Sequence, residues 1–459
     1  MYEVTAEYMP AERSLIGTVK VDFYNASKIE LDSVCFQLYP NAYRKGTLHS
    51  PVGYDVWSES YYAGESYGDI TVSSVLGGVN YEITGEDKNI LTVRLAAPLP
   101  PESRVTLDVG FSTRIASVSQ SLGITPSTIN LVGAFPTVCA LTDEGFYECL
   151  ASDVAETAFA DSADYQMRLT VPKEYSLVTT GQVREENWLE SKKRYTVSAM
   201  NARELAFALS TEWTVSEART GKTSVKFYAL SGEGSAEGAR LASEAVAFYS
   251  ASFGEYFSDT LSVVETELAR GEGSYAGVCL VARKLSDEER LWAVARGVAL
   301  QWWRAAVGVN RSENAWLADG LAEYSAMLFF DKHGGYGLTK QDCFQAAGER
   351  YREYLERYQK ALGWVDTLMN RPLDSFLNTY EYARICVDRT ALMFAELEKA
   401  IGQKRVLAGL RKYYYECLGE VATPANLVGA FERTGLELQG FFEGYWDGKE
   451  SFMPLTKKS

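Results

Sequence analysis

The spacing of apolar residues changes once along the chain, and this change most constrains the fold. From Met1 to about Trp213, apolar and polar residues alternate, as in residues 17–24 (GTVKVDFY) and 166–171 (QMRLTV). A period of two is typical of β-strands. From about Ala236 the apolar residues recur every three to four positions, which is typical of helices. The sequence therefore predicts a β-rich first half and a mostly helical second half.

These two patterns divide the chain into predicted domains. We expect a β-rich domain over residues 1–213, a linker and boundary over 214–235, and a mostly helical domain over 236–459. Residues 261–267 interrupt the helical half with a strand pattern, and residues 278–281 form a candidate partner strand. The predicted fold class is therefore α+β and multidomain.

Two helices of the second half have recognisable ends. Ser286 and Glu289 form a capping box that opens an apolar helix extending to about Ala306. The next helix is predicted to begin near Ser312 or Glu313 and to end at His333. We expect the glycines that follow His333 to provide a left-handed C-cap.

The charge of the chain limits its partners. The 61 Asp and Glu residues outnumber the 45 Lys and Arg residues, which gives a formal net charge of −16. Nucleic acids and anionic membrane surfaces are bound by Lys/Arg-rich faces, so neither is an expected partner. No segment approaches the run of about 18 apolar residues that a membrane helix requires, so we expect no direct membrane insertion.

The seven cysteines indicate the compartment. They are widely spaced, odd in number and contain no C-x-x-C motif, which is typical of free thiols in a reducing environment. We therefore expect a cytoplasmic protein, although a removed export signal or anchor would leave no trace in this sequence.

Two segments of the helical half resemble a known enzyme family. Residues 296–303 read R-G-V-A-L-Q-W-W, and residues 316–324 read W-L-A-D-G-L-A-E-Y. They resemble the motifs H-E-x-x-H-Q-W-W and W-L-x-E-G-L-A-E-Y of the gluzincin zinc aminopeptidases, the membrane alanyl aminopeptidase and leukotriene hydrolase type. Other segments that look like the bacterial branch of this family are 38–44 (LYPNAYR), 163–165 (ADY), 171–173 (VPK), 203–207 (RELAF) and 441–446 (FFEGYW). The resemblance covers nearly the whole chain and implies a saddle-like, β-rich N-terminal domain followed by a thermolysin-like peptidase domain.

The metal-binding residues of the family do not occur at the matching positions. In H-E-x-x-H the two His residues bind zinc from one helix face and the Glu is the catalytic base, while the third ligand is the Glu of the second motif. The first three positions are here Arg296, Gly297 and Leu300, none of which offers a lone pair to a metal ion. The third ligand position is Asp319. The resemblance therefore implies that the zinc site is lost, and we expect no metal and no cofactor.

Two further catalytic positions of the family are also altered. In the family's exopeptidase segment, of the type G-G-M-E-Y-P-G, the Glu that holds the substrate's amino terminus corresponds to Ser274. The Tyr that stabilises the oxyanion corresponds to Val387, while Tyr382 remains one turn earlier. Because five functional positions have changed together, we predict that the chain does not hydrolyse peptides.

A buried Asp319 without zinc needs another positive partner, because an unpaired buried charge is costly. We predict that the guanidinium of Arg296 takes the electrostatic place of the cation. The alternative is that Arg296 extends to solvent while Asp319 pairs elsewhere. The side chains expected to line a binding cleft are Tyr275, Asp319, Glu323 and Tyr382.

The favoured function is that of a catalytically inactive aminopeptidase homologue whose cleft binds a peptide or a protein partner. Two alternatives remain open at this point. One is an enzyme of altered chemistry, with a cation on Asp319 and carboxylates such as Glu272 or Glu323. The other is a structural interaction module with a filled cleft, such as part of an envelope-associated assembly. The sequence does not determine the oligomeric state.

Overall fold

The computed structural model describes residues 1–157, 159–230, 232 and 234–448. The chain forms two compact units. Unit 1 comprises Met1–Ser216, Lys226–Ser235 and Thr260–Leu285, and unit 2 comprises Glu217–Val225, Ala236–Asp259 and Ser286–Ser459. Thr260–Leu285 belongs to unit 1 because its strands join a sheet, so the units do not follow the predicted bounds at 213 and 236. Residues 449–459 of the predicted helical domain lie outside the described residues.

The largest sheet of unit 1 has seven strands in the order β15-β16-β13-β1-β2-β7-β4. The apolar residues of β1 alternate, so Tyr2, Val4, Ala6 and Tyr8 are all buried on one face. β1 pairs in parallel with β13, and this register stacks the rings of Tyr2 and Tyr165 at 4.6 Å. The strands are β1 (Tyr2–Met9), β2 (Ser14–Tyr24), β4 (Asp69–Leu76), β7 (Arg104–Arg114), β13 (Ala163–Pro172), β15 (Gln182–Trp188) and β16 (Lys192–Ala202).

Three smaller sheets complete the N-terminal β region of unit 1. Their strand orders are β10-β3-β6-β5, β14-β17-β9-β8 and β11-β12. The strands are β3 (Leu31–Gln37), β5 (Asn80–Thr84), β6 (Ile90–Leu99), β8 (Leu122–Ile124), β9 (Ile129–Leu131), β10 (Thr137–Val138), β11 (Ala140–Thr142), β12 (Gly145–Tyr147), β14 (Ser176–Thr179) and β17 (Phe207–Ser210).

A five-stranded sheet has the order β18-β19-β20-β22-β21. The predicted strand pair is confirmed, since β20 pairs in parallel with β22. The tip of the β18–β19 hairpin, residues 217–225, belongs to unit 2. The strands are β18 (Thr214–Thr220), β19 (Thr223–Ala229), β20 (Thr260–Thr266), β21 (Glu272–Tyr275) and β22 (Val278–Ala282).

Helices form most of unit 2, together with a short strand pair, β23 (Gly308–Val309) and β24 (Val421–Ala422). The predicted α+β, multidomain class is therefore confirmed. The α-helices of the described residues are α1 (Trp57–Ser60), which lies in unit 1, and α2 (Ser235–Phe253), α3 (Asp287–Leu300), α4 (Arg311–Asn314), α5 (Trp316–Lys332), α6 (Lys340–Leu362), α7 (Thr379–Tyr382), α8 (Thr390–Ile401), α9 (Gln403–Glu416), α10 (Pro424–Glu432) and α11 (Gln439–Trp446).

The ends of α3 and α5 test the predicted helix signals. The capping box is confirmed, because Ser286 accepts from the Glu289 amide and the Glu289 side chain accepts from the Ser286 amide. α3 continues as a π-helical turn over Gln301–Ala306. The predicted left-handed glycine after α5 is wrong at that position: Gly334–Tyr336 form a 3-10 turn, and the left-handed residue is Gly337.

Large aromatic residues hold α3 and α5 in the core of unit 2. Trp302, Trp303 and Trp316 are fully buried. The indole N–H of Trp302 donates to the Gly254 carbonyl at 2.9 Å, and that of Trp303 donates to the Ser325 hydroxyl at 2.9 Å. The buried indoles of Trp302 and Trp303, whose N–H groups are satisfied, fix the π-helical turn that follows α3 against its neighbours. Within the part of the chain that the structure describes, no helix is both long and apolar enough to cross a membrane.

Candidate functional site

The packing of α3 against α5 brings Arg296 to Asp319. The Arg296 Nη2 atom lies 3.1 Å from Asp319 Oδ1, which confirms the predicted pairing. The two side chains are 15% and 6% exposed. The pair is therefore an ion pair removed from most of the solvent, where charges interact more strongly than at the surface.

Asp319 has two more donors on its second oxygen. The Arg311 Nη2 atom donates to Oδ2 at 2.6 Å, and the Tyr382 hydroxyl donates to the same oxygen. Arg311 is the first residue of α4, and Tyr382 is the last residue of α7. Two arginines and one hydroxyl from three different elements therefore satisfy both oxygens of this carboxylate.

Glu323 lies one helical turn after Asp319, on the same face of α5. Arg296 Nε lies 3.3 Å from Glu323 Oε2, so one guanidinium bridges both carboxylates. The Trp292 indole N–H donates to Oε2 at 3.0 Å, and Arg350 Nη2 lies 3.6 Å from Oε1. Glu323 is thus held by groups from α3 and α6.

A third buried carboxylate, Asp388, extends the network. Arg350 donates to both of its oxygens, through Nε to Oδ2 at 3.2 Å and through Nη2 to Oδ1. Arg384 Nε lies 3.0 Å from Oδ2, four residues earlier on the π-helical turn Ala383–Arg389. Asp388 is fully buried. A carboxylate whose two oxygens accept from one guanidinium has the two-bond geometry that offsets the cost of burying an ion pair.

These contacts form one chain of alternating charge, which we call the arginine–carboxylate chain. Each member contacts the next at an ion-pair distance. Its members in order are Arg311, Asp319, Arg296, Glu323, Arg350, Asp388 and Arg384. The four arginines outnumber the three carboxylates, so the arginine–carboxylate chain has no excess negative charge to attract a cation.

The pKa shifts of the three carboxyl groups differ in sign. Burial by itself raises the pKa of Asp319, but Arg311, Arg296 and the Tyr382 hydroxyl outweigh it and hold that pKa well below its usual range. Burial dominates at Glu323 and Asp388, so their pKa values are raised in spite of the neighbouring arginines. The charge of Asp319 is therefore the one that this site stabilises most.

The residues at this site do not fit a zinc ion. A catalytic zinc site has three protein ligands and an open position. Arg296 and Leu300 stand at two of the three positions to which the family resemblance assigns ligands, and the oxygens of Asp319 already accept from two guanidinium groups and a hydroxyl. Among the described residues, no group of three or more His, Cys, Asp or Glu side chains is arranged to hold a metal ion.

The other predicted site residues lie in both units. In unit 2, Gly297 and Leu300 are buried in α3, and Val387 is half-buried in the π-helical turn that follows α7. In unit 1, Ser274 and Tyr275 are buried on β21, next to Glu272. The Tyr275 hydroxyl donates to Glu156 Oε1 at 2.8 Å, and its ring packs in an apolar cluster with Val264 and Val278.

Sequence reasoning missed four members of the arginine–carboxylate chain: Arg311, Arg350, Arg384 and Asp388. One signal was available, because Arg384 and Asp388 are spaced i and i+4 and so share a face of a helix. Arg350 carries no such signal, since it lies 27 residues from Glu323 on another helix. Only the folded packing of α6 against α5 shows this contact.

Known proteins resemble this chain in structure. No family model matches the chain, and no curated protein matches it. An M1 zinc metallopeptidase from Deinococcus radiodurans matches with a TM-score of 0.67 and 17% identity, over 99% of this chain and 94% of that chain. A mutant of an M1 zinc metallopeptidase from the same organism, bound to a Tyr-Ser-Ala substrate, matches with a TM-score of 0.65 and 18% identity, over 99% and 94%. A mutant two-domain M1 zinc metallopeptidase bound to L-tryptophan matches with a TM-score of 0.66 and 17% identity, over 99% and 95%. The chain therefore has the fold of M1 zinc metallopeptidases.

Proposed function

We propose that this chain is a catalytically inactive homologue of the zinc aminopeptidases, and that it binds a peptide or protein partner without cleaving it. The observation that supports this most directly is the double ion pair of Asp319 with Arg296 and Arg311. These two ion pairs engage the Asp319 carboxylate, which is the one potential metal ligand that the family resemblance retains. The proposal includes the loss of zinc binding.

The substitutions at positions 296, 297 and 300 support the loss of hydrolysis. Zinc hydrolysis requires a metal-bound water and a base beside it. The base position is Gly297, and the guanidinium of Arg296 repels a divalent cation, while the hydrocarbon of Leu300 offers it no ligand. Two further positions support the same conclusion. The resemblance assigns the group that holds the substrate's amino terminus to position 274, which is Ser274, and the hydroxyl that stabilises the oxyanion to position 387, which is Val387.

Among the described residues, no contact favours a cation-dependent enzyme of altered chemistry. Glu323, the nearest candidate second ligand, already contacts Arg296, Arg350 and the Trp292 indole. Replacing these partners by a cation would leave two guanidinium groups close to a metal ion. These contacts support the loss of catalysis, and the acidic charge of the chain argues against a nucleic acid as the partner.

Two measurements test the proposal. The purified chain, expressed with added zinc, is expected to contain no stoichiometric zinc and to show no chelator-sensitive hydrolysis of a panel of aminoacyl amides. Zinc-dependent turnover would contradict the loss of catalysis. The second measurement is calorimetric titration with the tripeptide Tyr-Ser-Ala, which one structural neighbour binds as a substrate. We expect binding and an intact peptide afterwards, and a failure to bind this peptide and longer peptides would favour a purely structural role.

A further inference from the structure

Cys35 and Cys139 face each other across two strands of unit 1. Strands β3 and β10 pair antiparallel, with Gln37 opposite Thr137 and Phe36 opposite Val138. One more step of this register places Cys35 opposite Cys139, and the Cys139 amide donates to the Cys35 carbonyl at 2.9 Å. Residues that lie opposite each other on antiparallel strands have Cα atoms about 4.5–5.5 Å apart.

The two thiol side chains also share one environment. Opposite residues of a strand pair project to the same face of the sheet, and Cys35 and Cys139 pack in one apolar cluster with Ile90 and Phe146. Disulfides join residues whose Cα atoms are about 4.4–6.8 Å apart. The strand register therefore places the Cα atoms of this pair within the range that disulfides span. Their Cβ atoms, about 4.5–5.5 Å apart in opposite residues, must approach to about 3.5–4.5 Å for the bond to form.

A cavity of about 590 Å³ gives access to one of these thiols. Cys139 lines this cavity, together with Tyr2 and Val138. β10 is only two residues long and lies at the edge of its sheet, so few hydrogen bonds must break for it to open. Cys35 lies on the neighbouring strand β3 and does not line this cavity.

The cavity is acidic. Four aspartates line it, against Arg104 and the amino group of Met1. The lining is therefore net negative even when that amino group is counted. An acidic cavity raises the local concentration of small cations and lowers that of small anions. The four aspartates are Asp22, Asp143, Asp161 and Asp164.

We propose that Cys35 and Cys139 form a redox-modification site that is oxidised by small cationic disulfides. The Cys139 thiolate attacks the reagent, forms a mixed disulfide and releases one half of the reagent as a thiolate. The Cys35 thiolate then attacks the Cys139 sulfur, breaks the mixed disulfide and releases the second half. Two cysteine thiols are oxidised to one disulfide, the reagent accepts both electrons, and its two halves leave as thiols with the two protons.

The ionisation of the thiols sets the pH dependence of this reaction. Burial raises the pKa of Cys35 and raises that of Cys139 well above its usual range, so the thiolate fraction near neutral pH is small. The rate is expected to increase with pH up to at least pH 9, because the thiolate is the attacking species.

The experiment compares cystamine, a disulfide with two positive charges, with oxidised glutathione, which is anionic. The native chain is incubated with each, remaining thiols are alkylated, and peptide mass spectrometry locates the disulfides. We expect a Cys35–Cys139 disulfide with both reagents, formed about tenfold faster with cystamine at low salt, with the difference decreasing at high salt. Equal rates at low salt would refute the cationic preference.

Control variants separate this site from general thiol oxidation. Cys279→Ala removes another buried thiol of the same unit and is expected to leave the reaction unchanged, whereas Cys35→Ala is expected to stop at the mixed disulfide on Cys139. Locating the disulfides in the wild-type chain does not depend on whether any variant folds. A disulfide that forms only in denaturant, or one that joins Cys139 to Cys149, would overturn the proposal.

Discussion

Arg296 bridges Asp319 and Glu323, with its guanidinium 3.1 Å from the first carboxylate and 3.3 Å from the second. The two acids lie one turn apart on α5, so they present their carboxylates to the same side of the helix. A single cation on α3 therefore compensates two buried negative charges. This arrangement makes Arg296 the central member of the arginine–carboxylate chain.

Arg296→Ala is expected to destabilise unit 2 strongly. Removing one partner of a buried ion pair leaves an uncompensated charge and costs about 3–5 kcal/mol of the free energy of unfolding. Arg94→Ala is the matched control, because Arg94 pairs with Glu82 at the surface, where both side chains are more than half exposed. Its cost is expected to be below about 1 kcal/mol. Urea unfolding of both variants measures the difference, and similar costs would show that the buried pair adds no stability.

Asp319→Asn and Glu323→Gln are expected to differ at pH 7, because the pKa of Asp319 is lowered and that of Glu323 is raised. The site stabilises the charge of Asp319 and disfavours that of Glu323. We therefore expect Asp319→Asn to cost more in free energy of unfolding than Glu323→Gln, by about 2 kcal/mol or more. A larger loss in Glu323→Gln would contradict this order.

The carboxyl groups of Asp319 and Glu323 are expected to change the free energy of unfolding in opposite directions as the pH rises. The contribution of Asp319 is fully present above its unfolded-state pKa of about 3.9 and is lost as the pH falls through its lower folded-state pKa. For Glu323 the folded state binds the proton more tightly, so its contribution decreases as the pH rises from about 4.3 through its raised folded-state pKa. Urea unfolding from pH 3 to pH 8 measures the second dependence and the onset of the first. Glu323→Gln should reduce the second dependence, to which the raised pKa of Asp388 also contributes, and leave the first.

Tyr382→Phe removes only the hydroxyl that donates to Asp319. Hydrogen bonds to charged groups contribute about 1.5–3 kcal/mol, and we expect a loss of stability in that range. Tyr62→Phe is the control, because the Tyr62 hydroxyl donates to a backbone carbonyl at an exposed position, and about 1 kcal/mol or less is expected. An unchanged free energy of unfolding in Tyr382→Phe would show that the two arginines alone satisfy Asp319.

Gly320→Ala is expected to disrupt the packing of α5 against α8 and the preceding π-helical turn. A Cβ atom at position 320 would lie 2.2 Å from the Thr390 Cβ and 2.7 Å from the Cys386 carbonyl oxygen. Overpacking of this kind costs about 1–3 kcal/mol. Gly334→Ala is the matched control, since nothing lies within 4 Å of its added Cβ, and we expect a change within about 0.5 kcal/mol. Melting temperatures of the two variants compare them, and equal values would contradict the predicted clash.

Local patterns in the sequence were sufficient to predict the elements but not the units. The alternation in residues 17–24 and 166–171 corresponds to β2 and β13, and the Ser286 capping box begins α3. The grouping of Thr260–Leu285 with unit 1 depends on which strands pair, and strand pairing between distant segments has no local signal. The left-handed glycine after α5 was misplaced because three nearby glycines, at 334, 335 and 337, all permit that conformation.

The candidate site was predictable only in part for a similar reason. Arg296 and Asp319 could be paired because both lie on positions that the resemblance assigns to one metal ion. Arg311 and Arg350 have no counterpart in those motifs, and their roles depend on how α4 and α6 pack against α5. The partners of a buried charge are chosen by three-dimensional packing, which a single sequence does not display.

The saturation of Asp319 also bears on attempts to build a metal site into this protein. Histidines at positions 296 and 300 and a glutamate at 297 would supply the metal-binding motif, yet Arg311 and Tyr382 would still occupy the second oxygen of Asp319. Arg296→His would in addition remove the counter-charge that two buried acids share before any ion could replace it. A designed metal site would therefore require replacement of the partners of Asp319 together with the motif.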